Sequence, residues 1–149
     1  MKIKLATLGV AAVAAGAAFF TALRAQEQPT RSVWDGVYTQ EQAQRGRGLY
    51  GQHCASCHGE SLEGVEMAPA LAGGDFLDKW AGQTVGDLFE RIRTTMPQNK
   101  PGRLSRDVNV DITAYILSAN DFPAGKTDLP RDTLILKQIR IDATKPEKK

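Results

Sequence analysis

Cys54-Ala55-Ser56-Cys57-His58 decides what this 149-residue chain is built around. Two thiols three residues apart can each add across a vinyl group of one haem, and the histidine directly after the second thiol is then held under the iron as its proximal ligand. These are the only two cysteines in the chain, so a haem takes both and leaves none for a disulfide. A bare Cys-x-x-Cys also serves as half of a zinc site or as a redox dithiol. Zinc needs two more ligands, and the only other histidine, His53, stands directly against Cys54. A cytosolic dithiol does not suit a chain with an export signal at its start. The motif therefore reads as the attachment site of one covalent haem c.

Outward from the motif, three helices are expected. The first starts near Thr39, with Gln42 placed for a capping box, and runs toward Cys54. The second starts near Thr84, with Asp87 three residues on, and carries Val85, Leu88, Phe89 and Ile92 at i, i+3, i+4, i+7 spacing. The third starts near Ser105 and runs to about Ala119, with Val108, Ile112, Tyr115 and Ile116 on one side. The stretch 59–81 is rich in Gly and Pro without a sustained period and reads mostly as loop. No internal repeat and no strand-rich region is evident. About 90 residues make a thin core on their own, and a buried haem would fill the centre that side chains cannot.

The N-terminus reads as an export signal. Lys2 and Lys4 precede an uncharged run over 5–23, and Ala25 offers a small residue before a cut. An uncleaved anchor is the alternative, since the run is close to the ~20 residues that span a bilayer. Either way the haem domain lies outside the cytoplasmic membrane, in the periplasm. The expected layout is a signal over 1–25, an extension over 26–38, a haem domain over 39–125 and a tail over 126–149. Without 1–25 the balance is 16 basic against 17 acidic residues, so the formal +2 of the whole chain owes much to the signal. Nothing suggests nucleic-acid binding. Charge is uneven: 33–125 holds 12 acidic and 8 basic residues, and 126–149 holds 4 and 7.

Over 33–125 the chain resembles a class I cytochrome c. The resemblance rests on Gly46-Arg47-Gly48-Leu49-Tyr50 ahead of the motif, Ala68-Pro69-Ala70-Leu71, Thr95-Met96-Pro97, and Ala114-Tyr115-Ile116-Leu117 in the last helix. A closer similarity is to cytochrome domains associated with quinoprotein alcohol dehydrogenases. It rests on Phe89-Glu90-Arg91-Ile92-Arg93-Thr94-Thr95-Met96-Pro97 and Ala119-Asn120-Asp121-Phe122-Pro123-Ala124-Gly125. The fold so implied is all-α, a small cytochrome c fold with three main helices around one covalently bound haem.

The resemblance also implies the remaining site. Met96, 38 residues after His58, stands where the family places its distal ligand. A thioether stabilises Fe(II), and a filled sixth position leaves no open site for oxygen or peroxide. Met67 is the rival ligand, but it stands nine residues from His58 and beside Pro69, on the family's proximal side. The Pro69 carbonyl is expected to hold the His58 Nδ1–H, with a plain loop proline as the alternative. Trp80 is expected to cover the haem edge or reach a propionate, or simply to pack in the core. Arg93 and Lys100 would offset propionate charge or remain solvated. Gly46 and Tyr50 are expected to meet Tyr115 or Ile116 where the first and third helices touch. His53 is expected to be exposed. Glu60, Glu63 and Glu66 form either a solvated face or a docking surface.

In the tail, Leu134-Ile135-Leu136 and Ile139-Arg140-Ile141 are apolar enough to need a surface, the first as a strand or turn lying back on the domain. Residues 145–149 read as a disordered basic end. Three functions remain open: a soluble or tethered carrier of single electrons; a haem enzyme or ligand sensor with a labile sixth site; and a fixed subunit relaying electrons within a complex. The expected partners are redox proteins, a quinoprotein dehydrogenase or a terminal oxidase among them, with a membrane involved only if the N-terminal segment stays uncleaved.

Overall fold

A computed structural model describes residues 29–66 and 68–147. The expected signal or anchor over 1–25, the rival ligand Met67, and Lys148 and Lys149 of the basic end lie outside the described residues.

Thr39 opens α1 (Gln40–His53). Its Oγ1 accepts the Gln42 N–H at 3.1 Å and also bonds the Asp128 carboxylate. The capping box expected of Gln42 is not made. Its amide instead pairs with the backbone of Leu129, donating to the carbonyl at 3.1 Å and accepting the N–H at 2.6 Å. A buried amide that can satisfy both a donor and an acceptor across the core is better used there than at a helix end open to water.

The chain turns at Cys54 into α2 (Ala55–His58). The stretch expected to be loop contains a further helix, α3 (Gly74–Trp80). Seven residues are too few to establish a period, but Phe76 and Trp80, four apart, bury one face and their rings lie 6.4 Å apart. α4 (Val85–Thr95) starts with the expected capping box between Thr84 and Asp87, both bonds at 3.1 Å, and buries Val85, Leu88, Phe89 and Ile92. α5 (Arg106–Ala119) is capped by Ser105, whose Oγ accepts the Val108 N–H at 3.2 Å.

α1 and α5 form the main helix contact. It is set by Gly46, where an added Cβ would stand 1.8 Å from the Asp111 carbonyl oxygen. One turn on, the Tyr50 and Tyr115 rings meet at 5.3 Å. With its other side turned to the cofactor cavity, α5 is buried on most of its circumference, including Ile112, Thr113, Ala114, Ile116 and Leu117.

Segments on both sides of 39–125 join this core. Val33, Val37 and Tyr38 before it and Leu129, Leu136, Ile139 and Ile141 after it are buried. The first apolar run of the tail forms a helical turn, α6 (Thr133–Leu136), in which only Leu136 is buried. Leu134 and Ile135 stay 75% and 50% exposed, so the expectation that the whole run needs a surface is not met. The second run is a strand. β1 (Arg31–Ser32) and β2 (Ile139–Arg140) pair in parallel, Arg31 opposite Ile139 and Ser32 opposite Arg140. Asp142 ties the two ends together, accepting from Ser32 Oγ at 2.6 Å and, through its carbonyl, from Trp34 Nε1 at 2.9 Å. Among the described residues no helix is long and apolar enough to cross a membrane. The architecture is the expected small all-α cytochrome c fold.

Candidate functional site

The helices enclose a cavity of about 480 Å³. All six expected site residues line it: Cys54, Cys57, His58, Pro69, Trp80 and Met96. Leu88 and Ile92 of α4, Leu104, and Ile112 and Ile116 of α5 give the wall its apolar character.

His58 ends α2, and its backbone is fixed by local bonds. Its N–H donates to Cys54 O at 2.9 Å and its carbonyl accepts from Gly64 N at 2.8 Å. The imidazole is buried, with Nδ1 2.8 Å from the Pro69 carbonyl. A carbonyl only accepts, so Nδ1 carries the proton and the Nε2 lone pair is the one left free. Pro69 is delivered by a tight reversal in which Val65 and Ala68 exchange backbone bonds of 3.1 and 2.8 Å. Gly64 makes the reversal possible: it stands at φ 74°, and a Cβ there would lie 2.7 Å from the Ala68 carbonyl oxygen. Asn120 at the end of α5 holds the following loop, donating to Leu71 O and accepting from Gly73 N, each at 3.0 Å. The Tyr50 hydroxyl donates to Gly59 O at 2.7 Å, and burial pushes the Tyr50 phenol well above its usual range, so it stays a donor.

Neither cysteine is in a disulfide, so both thiols are available for thioether bonds to a haem. Cys54 is half-buried, and burial, reinforced by the neighbouring Cys57, pushes its thiol up to about 11. Cys57 and Ser56 are exposed, so this end of the cavity opens to the surface. Met96 caps α4, is half-buried, and donates its N–H to Ile92 O at 2.9 Å.

The zinc alternative has no ligand set: among the described residues no three His, Cys, Asp or Glu side chains converge. A haem fits the donors present, since two thiols, one tautomer-fixed imidazole and one thioether share a largely apolar cavity within the usual range of cofactor pockets, about 300–1,000 Å³.

Some lining residues escaped the sequence reading. His53, expected to be exposed, is half-buried and lines the cavity, because the last turn of α1 brings it beside Cys54. Lys79 and Arg91 line it too. Arg93 is instead tied to Glu90, Nη2 to Oε2 at 2.6 Å, and Lys100 is exposed; neither lines the cavity. Arg91 was open to discovery, because it falls on the same face of α4 as Leu88 and Ile92. Lys79 was not, since its helix was read as loop. Of the acidic group, Glu60, Glu63 and Glu66 are all exposed, and Glu66 stands at the cavity wall.

Residues 41–116, just over half of the chain, match the family model described as cytochrome c oxidase, cbb3-type, subunit III. No curated protein matches significantly. A solved structure, the sulfane dehydrogenase SoxCD from Paracoccus pantotrophus, is similar at 27% identity with a TM-score of 0.45, over 64% of this chain and 55% of that one. The present chain thus spans little more than half the length of that protein chain. The matched region contains both thiols, His58 and Met96, and the chain belongs to the cbb3-type cytochrome c oxidase subunit III family as a monohaem c-type cytochrome of class I with one covalently bound haem c.

Proposed function

We propose that this cytochrome is a periplasmic carrier of single electrons, its iron held by His58 and Met96, rather than an enzyme. The observation that carries the reading is that the Pro69-bound imidazole and the Met96 thioether line one apolar cavity with both thiols. When bound, the haem supplies a one-electron iron couple.

The chain's residues then have separable tasks. Pro69 fixes the His58 tautomer and aims Nε2 into the cavity. Met96 would hold the metal with a soft donor that favours the reduced state, and in doing so would keep oxygen and peroxide off it. Leu88, Ile92, Ile112 and Ile116 exclude water. Lys79 and Arg91 bring positive charge to the cavity wall, where it would offset carboxylates of the cofactor. Cys57 and Ser56 leave the attachment edge at the surface, where a partner can approach it.

A dehydrogenase or respiratory complex on one side and an acceptor on the other are the partners this reading requires. The family description names an oxidase subunit, which favours a terminal oxidase as acceptor and supports a second reading, a fixed subunit of such a complex. The resemblance to quinoprotein-associated cytochromes favours a dehydrogenase as donor.

The ligand set is tested in the ferric protein by its weak far-red charge-transfer band. Met96→Ala is expected to abolish the band, lower the reduction potential and open the iron to small ligands. A Met96→Ala protein with the wild-type band would overturn the assignment.

A further inference from the structure

We propose that the C-terminal segment 129–142 is a strap that seats Met96, with Glu90 and Thr133 as its positioning residues. The inference rests on the His58/Met96 reading given above and extends it to residues far from the cavity.

α4 has two working faces. Leu88, Arg91, Ile92 and, at its end, Met96 line the cavity. The other side lies against the strap. Gly86 leaves room for it: a Cβ there would stand 2.7 Å from the Lys137 backbone nitrogen. The Phe89 ring lies under the Arg106 guanidinium at 5.1 Å. Glu90 accepts the Thr133 hydroxyl at 2.6 Å on one oxygen and Arg93 Nη2 at 2.6 Å on the other. Arg106 completes the clamp from α5, donating to Thr133 Oγ1 at 2.6 Å and to Arg131 O at 2.8 Å. Just before α4, Gly82 N–H donates to Ile141 O at 2.9 Å and Ile141 N–H donates to Gln83 O at 2.8 Å.

The strap is therefore fastened at two places. Near Ile141 it is held by the backbone and by buried Ile139 and Ile141. Near α6 it is held differently. Two of the three apolar side chains there, Leu134 and Ile135, are exposed, so burial contributes little beyond Leu136. Beside buried Leu136 and the close approach of Lys137 to Gly86, the Thr133–Glu90–Arg106 bonds fix that turn against the middle of α4. Met96 follows six residues later, and on its far side the 98–100 turn is exposed. Its seat is thus inherited from α4, and the position of α4 is set from behind by the strap. Freedom gained at Glu90 passes down a continuous helix to the thioether.

The test uses the full-length ferric holoprotein with imidazole as an incoming ligand, whose binding is limited by departure of the Met96 thioether. Thr133→Val and Glu90→Gln are expected to bind imidazole about tenfold faster, as loss of one charge-assisted hydrogen bond allows. Thr133→Ser keeps the hydroxyl and should bind at the wild-type rate. On heating, the far-red band in the first two variants should vanish before the helical circular dichroism does. Wild-type imidazole rates in Thr133→Val and Glu90→Gln, with band and helix lost together, would overturn the strap while leaving the ligands in place. If Thr133→Val fails to fold, Glu90→Gln decides by the same two readouts. A wild-type protein without the band, or a band that survives Met96→Ala, would overturn the ligation reading and the strap with it.

Discussion

At the scale of single residues, the tightest constraint outside the haem motif is Gly46. Alanine in a helix interior is worth up to about 1 kcal/mol over glycine. At Gly46 that gain is overwhelmed, because the new Cβ would stand 1.8 Å from the Asp111 carbonyl oxygen, a backbone atom that moves only if α5 moves. Gly46→Ala is therefore expected to destabilise the protein by about 2 kcal/mol net. Gly48, two residues on in the same helix, has open space around it, so Gly48→Ala should be neutral or stabilise by up to about 1 kcal/mol. Denaturant midpoints of the two variants are the measurement, and equal shifts in both would show that helix propensity rather than the close approach governs this face. The contact of Gly46 and Tyr50 with Tyr115 or Ile116 was legible through the resemblance to class I cytochromes c, whose first helix carries a small residue followed by an aromatic; of the two partners, the ring of Tyr115 meets that of Tyr50. The attachment site was legible for a stronger reason: its covalent chemistry needs five consecutive residues. Lys79 and the lining position of His53 were not, since a charged or polar side chain beside a cavity has the same local signature as one in solvent; Arg91 alone could be placed, from the face of α4 it shares with Leu88 and Ile92.

At the scale of elements, α4 and the turn α6 are joined by a carboxylate whose titration makes the joint pH-dependent. Hydrogen bonds from Arg93 first and Thr133 next hold the Glu90 carboxyl well down, from the ordinary 4.5 to about 2. A depressed carboxyl stabilises the fold fully above its unfolded value and loses that contribution as pH falls through the folded value. The window is thus about pH 4.5 down to about pH 2. Glu90 and Arg93 are partly open to solvent, with side chains 28% and 34% exposed, so the contribution near neutrality is discounted to about 1 kcal/mol. Glu90→Gln is expected to unfold at a lower denaturant midpoint than wild type at about pH 6, with the gap closing by about pH 2. Denaturant unfolding across that range measures it, and a gap that persists unchanged to the acid end would assign the effect to packing instead. The long helices were legible because Thr39, Thr84 and Ser105 cap them and because α4 repeats its apolar residues through two turns. α3 and α6 were not, for they are seven and four residues long, too short for periodicity to distinguish a helix from an apolar loop. The parallel pairing of Arg31 and Ser32 with Ile139 and Arg140 was equally hidden: two-residue strands more than a hundred positions apart leave no local trace.

At the scale of the whole molecule, the core is built around space that side chains do not fill. The cavity of about 480 Å³ is walled by Leu88, Ile92, Leu104, Ile112 and Ile116, all contributed by the same α4–α5 region that buries most of the remaining apolar surface. At the usual cost per unit volume, an empty cavity of that size opposes folding by something on the order of 10 kcal/mol, as much as the total stability of a typical small domain. Admitting water lowers that figure only by wetting apolar walls, which forfeits the burial that brings the helices together. No disulfide compensates, because both cysteines are committed to the cofactor. The cofactor and the fold are therefore linked: the thioethers keep the haem on the chain in either state, but its burial and its ligation are made only in the folded one, which holds the equilibrium on the folded side. The chain with both Cys54→Ala and Cys57→Ala, prepared without haem, is expected to have much less helical circular dichroism than the holoprotein and to melt without a cooperative transition. The buried joints at Gln42–Leu129 and at β1–β2 oppose this outcome, since they are made without the cofactor. They lie on the α1 side and at the chain ends, however, and do not close the gap between α4 and α5. If the haem-free chain kept the helix content of the holoprotein and melted in one sharp step, the cavity would have to be stable when empty, and the strap behind α4 rather than the haem would be what holds the helices apart.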